Sequence, residues 1–81
     1  MAESKIKATL KQIVVAGTTD GSSNLRINEM PLTAVPVFAT DNYHAFIPFN
    51  YGGTWYTRVQ QADNNGTPAP NTSISCTVYY L

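Results

Sequence analysis

Charge is what this chain has least of. Only 12% of its 81 residues are Asp, Glu, Lys or Arg, half the roughly one quarter usual in soluble proteins. Five cations and five acids cancel, so the surplus of Lys and Arg that neutralises phosphates is missing and no nucleic-acid partner is expected. Cysteine is limited to Cys76, which allows no intrachain disulfide. One histidine, His44, beside one cysteine gives no zinc spacing; neither metal nor cofactor is expected. The longest apolar runs are Ile13 to Ala16 and Ala45 to Ile47. They fall far short of the ~20 residues of a membrane helix, and the start has no signal-peptide core, so neither membrane insertion nor secretion is expected. Length argues for one domain over 1–81, since domains usually run to about 100–200 residues.

What fills the gap is neutral and polar. Ten Thr, seven Asn and five Ser outnumber the ten charged residues. At 43% hydrophobic and 11% aromatic, the chain is not of disordered composition. It also lacks the Ala, Glu, Lys, Leu and Arg enrichment of helical rods. A charge-poor surface with no net charge is weakly protected against self-association. A chain this small buries only roughly 60% of its unfolded surface on folding. Without disulfide or metal, oligomerisation is the remaining device for making up that deficit. Either much of the surface is covered in an assembly, or it meets uncharged polar matter such as sugar.

Turn chemistry divides the chain into short segments. Thr18 to Asn24, Asp41-Asn42, Gly52-Gly53 and Asp63 to Asn71 are the punctuation, and the Gly pair between aromatic runs is a two-residue hairpin signal. Six segments result: about Lys5 to Ala16, Asn24 to Asn28, Ala34 to Thr40, Tyr43 to Tyr51, Thr54 to Gln61 and Thr72 to Leu81. The β-branched and aromatic content of the last four predicts strands. The fold class read from this is all-β: a small antiparallel β-sandwich or barrel of about six strands, with a short N-terminal helix as an option.

That option arises in the first segment. Ile6, Leu10, Ile13 and Val14 fit a helical stripe with Gly17 as its cap. The same stretch also alternates as a strand, with Ile6, Ala8 and Leu10 on one face, until the phase breaks at Gln12; a bulge would repair it. Strand is favoured because the rest of the chain is β. In the last segment Ile74, Cys76, Val78 and Tyr80 share a face expected to point inward. In the fifth, Trp55, Thr57 and Val59 point inward while Tyr56, Arg58 and Gln60 point outward. The third and fourth segments are apolar on both faces, as strands at a sheet centre or a subunit interface are. Pro36 and Pro48 within them favour an edge or a bulge.

No nucleophile elbow, phosphate-binding loop or dinucleotide fingerprint is present. His44 could join Asp41 in a triad, but the spacing gives no support and a solitary surface histidine accounts for it. The five carboxylates are scattered, so no glycosidase pair can be chosen. An enzyme is therefore not expected. Aromatics carry more weight. Sugar binding sets an aromatic ring against the apolar face of a pyranose, with planar polar groups for the hydroxyls, and Tyr and Trp combine an apolar body with a polar tip. Tyr51, Tyr56, Arg58, Asn64 and Asn65 are the candidate ligand residues, expected together near one hairpin end and the neighbouring loop. Trp55 is expected in the core.

The motifs Thr18-Thr-Asp-Gly21, Leu25-Arg-Ile27, Ala45-Phe-Ile-Pro48, Trp55-Tyr-Thr-Arg-Val59 and Pro70-Asn-Thr-Ser-Ile-Ser-Cys-Thr-Val-Tyr-Tyr-Leu81 run through residues 18–81. Together they resemble the C-terminal heads of tailed-phage tail fibres and tail-tip receptor-binding proteins. The resemblance implies an all-β, commonly trimeric, non-enzymatic tip in the virion tail, made in the host cytoplasm, that adheres to a bacterial surface receptor. Residues 18–81 would be the β head and 1–17 an attachment segment. The expected partners are copies of itself, a bacterial surface glycan or a tail-fibre protein. A subunit that caps a fibre or assists its trimerisation is the alternative.

Overall fold

The computed structural model describes residues 10–63 and 65–81. Six strands alternate with the turns: β1 (Lys11–Thr18), β2 (Asn24–Ile27), β3 (Pro36–Phe38), β4 (His44–Tyr51), β5 (Thr54–Gln61) and β6 (Ser73–Tyr80). They form two antiparallel sheets of three strands, ordered β1-β6-β3 and β2-β5-β4. The two sheets share one hydrophobic core. Val15, Ile74, Cys76, Val78 and Tyr80 come from the first, and Leu25, Ile27, Trp55 and Val59 from the second. Met30, Ala34 and Ala69 join the core from connecting segments.

The turn residues explain the connections. Gly52 and Gly53 have φ of 59° and 80°, the pair of left-handed conformations that suits a tight hairpin to strand twist. Tyr51 then faces Thr54, and β4 stays in register with β5 as far as His44 opposite Gln61. Asp20 Oδ1 accepts from the amides of Ser22 (2.8 Å) and Asn24 (3.0 Å), folding the turn into β2. Thr19 ties this turn to the last long loop: its hydroxyl donates to Ala69 O at 2.6 Å and accepts from Thr72 N at 2.8 Å. A buried threonine without such partners would be costly. Among the described residues every buried side-chain nitrogen or oxygen has a hydrogen-bond partner.

The described part of the first segment is strand and not helix. Gly17 lies opposite Ile74 within β1 instead of capping a helix. The strand keeps a continuous register with β6 from Lys11 to Thr18, so no bulge is needed there. Val15 is buried while Val14 is exposed; the phase that puts Ile13 and Val15 inward wins. Alternation from Ile6 concerns residues 1–9, which lie outside the described residues, as does most of the expected attachment segment.

β5 and β6 are the central strands, and their inward residues are those the alternation predicts. β3 and β4 are both edge strands, where Pro36 and Pro48 are tolerated because an edge leaves some backbone amides without a ladder partner. Their two-sided apolar character does not come from a central position: Val37 is 63% exposed and Ile47 46%.

Candidate functional site

Alternation along a strand sends every second side chain to the outer face of its sheet. On the β2-β5-β4 sheet, Trp55, Thr57 and Val59 are buried inward, so Tyr56, Arg58 and Gln60 stand outward. Strand pairing sets their neighbours. Tyr56 lies between Arg26 of β2 and Phe49 of β4, and Arg58 between Asn24 and Ile47. Tyr51 and Thr54 form the row at the hairpin end. The Phe49 and Tyr56 rings stack at 5.5 Å with 15° between planes, an arrangement that aromatic pairs favour. Tyr51 is 73% exposed, and Arg26 and Arg58 are exposed.

Three of the five candidate ligand residues, Tyr51, Tyr56 and Arg58, therefore share one face. Asn65 lies at the other end of β5 from Tyr51, in the loop that packs beside Gln60. Tyr51 sits before the first residue of β5, while Asn65 follows its end. Eight strand residues at about 3.4 Å each place some 25 Å between the two ends. Asn65 belongs to a separate loop in which Asp63 Oδ1 accepts from its amide at 3.0 Å and Asp63 Oδ2 accepts from the Thr67 hydroxyl at 2.6 Å. That hydroxyl and the loop amides lower the Asp63 pKa. Asn64 lies outside the described residues. Arg26 and Phe49 were missed as neighbours of Tyr56; Arg26 is 30 positions away in sequence, and only the β2–β5 register brings them together.

A second feature lies where the edge strands β3 and β4 face each other. A cavity of ≈ 360 Å³ opens there, lined by Pro36, Val37, Phe38, His44 and Phe46 among others. Phe38 and Phe46 stack against each other in its lining at 5.4 Å. His44 is not a solitary surface histidine. Its Nδ1 lies 2.6 Å from Asp41 Oδ2, and both side chains are largely buried. Asp41 Oδ1 also accepts from the amides of Tyr43 (2.8 Å) and His44 (2.7 Å). Burial opposes the Asp41 charge, but the hydrogen bond from His44 and the two amides outweigh it and lower the pKa. The cavity lining supplies no serine or cysteine for this pair to activate. Cys76 is in the core, where burial, reinforced by the Asp41 charge, pushes its thiol up to about 11; at neutral pH it is a packing residue, not a nucleophile.

No group of three metal-ligating side chains and no helix long and apolar enough to cross a membrane occurs among the described residues. Compared with known proteins, the chain matches no family model, no curated protein and no solved structure.

Proposed function

We propose that this chain is a non-enzymatic head of a phage tail fibre, acting in the virion tail as a homotrimer, and that it adheres to a bacterial surface glycan through the outer face of β2-β5-β4. The observation that carries this reading is the gathering of Tyr51, Tyr56 and Arg58 with Phe49 and Arg26 on one exposed face. Aromatic bodies with polar tips and planar guanidinium donors are the groups that sugar rings and hydroxyls call for. The face is built on paired strands, which hold its side chains at fixed spacing before a ligand arrives. A glycan array and a pull-down on bacterial cell walls test it with the assembled protein; blanks in both would overturn it.

A second reading is favoured by a different region. Val37 of β3 is exposed at the open cavity, with exposed Val35 two residues before it, and apolar surface of this kind marks sites of protein association. In this reading the chain is an accessory subunit that caps a tail fibre or assists its trimerisation, with no ligand of its own. Co-expression with a fibre protein decides it, and absence of co-purification would exclude the capping role. Size-exclusion chromatography with light scattering addresses both readings, since a stable 8.8 kDa monomer would remove the trimer.

A further inference from the structure

We infer that the β2-β5-β4 face selects an anionic saccharide, one bearing carboxylate or phosphate groups, over a neutral one. This rests on the adhesion reading above and specifies its ligand class. Arg26 and Arg58 are the only arginines of the chain, and both project from this face. Arg58 pairs with Asn24, two residues from Arg26, so the two are diagonal neighbours at about 7–8 Å. None of the three strands contains an acidic residue. Among the described residues the sole ion pair is Asp41–His44, so neither guanidinium has a carboxylate partner within the described chain.

Two like charges held side by side without a counter-charge repel each other. An anion placed between them reverses that term and offers each guanidinium a planar acceptor for paired hydrogen bonds. Beside them, Tyr56 and Phe49 form the stacked aromatic pair, which can take the apolar face of a sugar ring. Tyr56 lies directly opposite Arg26 and two positions from Arg58, so one residue of an acidic polymer can meet ring and cation together. A sugar is favoured over single-stranded nucleic acid because the chain has no net positive charge, whereas proteins that track a phosphate backbone do so with a positively charged groove.

The full chain is titrated by calorimetry with oligogalacturonate as the carboxylate probe, phosphomannan as the phosphate probe, dextran as the neutral probe and oligo-dT as the nucleic-acid probe. The expected result is binding of at least one of the two anionic saccharide probes, at least tenfold tighter than dextran. It should weaken at least tenfold between low and high salt, as exposed charge contacts do. R26Q/R58Q should lower anionic binding at least tenfold while circular dichroism and melting stay as in the parent chain. Y56A should lower it too, a loss that a purely electrostatic contact would not show.

Dextran bound as tightly as the acidic probes, with no effect of R26Q/R58Q, would overturn the anionic preference and leave the glycan reading intact. Failure of all three saccharides would overturn both. Equal or tighter binding of oligo-dT would overturn the saccharide assignment. Dissociation of an oligomer by R26Q/R58Q, seen by sedimentation, would make the face a subunit interface and overturn the proposal.

Discussion

The two long sides of the sandwich are built differently. Along β1 and β2 the sheets meet closely. Gly17 has no side chain, and a Cβ there would stand 3.0 Å from Leu25 Cδ1 of the opposite sheet. Leu25, Ile27 and Val15 are buried on this side. Along β3 and β4 the sheets stay apart, with Phe38 and Phe46 stacked between them and the ≈ 360 Å³ cavity beside them. Residue size accounts for the contrast: a glycine lets one sheet approach, while two phenylalanines and two prolines hold the other side ajar. Apolar residues at the open side consequently stay in contact with water. Closure supplies the stability, and the open side is left available for association.

If that division is right, the largest loss should come from the closed side. Ile27 is 1% exposed, and Ile→Ala in a core costs about 2–5 kcal/mol through lost transfer and cavity terms. Ile27→Ala is therefore expected to lower the unfolding free energy by about 3 kcal/mol in urea denaturation. A change below about 1 kcal/mol would mean that the closed side is not the tightly packed one. Gly17→Val comes next. Its methyls must displace Leu25, and overpacking costs about 1–3 kcal/mol. For a domain of this size each 1 kcal/mol moves the melting midpoint by about 4–8 °C, so thermal melts resolve it. Val14→Ala, on the exposed face of the same strand, serves as the near-silent control.

Phe46→Ala probes the open side and should cost less than burial alone implies. A buried Phe→Ala change costs about 3–5 kcal/mol. Phe46 is only half-buried and already borders a cavity, so the loss is chiefly its stack with Phe38, about 0.5–1.5 kcal/mol beyond area. An expected total of about 1–2 kcal/mol follows. A loss equal to that of Ile27→Ala would abolish the distinction between the two sides.

The same contrast explains what was legible in the sequence. β5 and β6 alternate cleanly between apolar and polar, and their ends and inward faces are readable because period 2 and a half-buried sheet coincide. Gly52-Gly53 announces its turn because only that backbone shape joins paired strands in two residues. The edges were less legible. Apolar residues on both faces of β3 and β4 read equally well as a centre or an interface, and only Pro36 and Pro48 pointed to the edge. In β1 the helical stripe and the strand alternation used the same residues, and the partner strand β6 decided between them. For the candidate site, residue type selected Tyr51, Tyr56 and Arg58. Sequence proximity also grouped Asn65 with Tyr51, whereas consecutive turns of an antiparallel sheet lie at opposite ends and β5 separates the two. It also missed Arg26, whose place beside Tyr56 is a matter of register.

The smallest expected effect concerns the turn at the mouth of the open side. Asp41 is held charged by His44 and two amides, which places its pKa below the ordinary 3.8. A carboxylate with a lowered folded pKa stabilises the fold above its unfolded pKa, and that contribution disappears as pH falls through the folded value. Asp41→Asn separates charge from shape, since the Asn oxygen can still accept from the Tyr43 and His44 amides. The parent chain should melt above D41N at pH 6, and the gap should narrow steadily below pH ~4. Ile27→Ala removes only buried apolar atoms and should keep the parent's pH profile. A gap between parent and D41N that stayed constant down to pH ~2 would show that the carboxylate works there through geometry alone, and the open side would then owe nothing to the charge at its mouth.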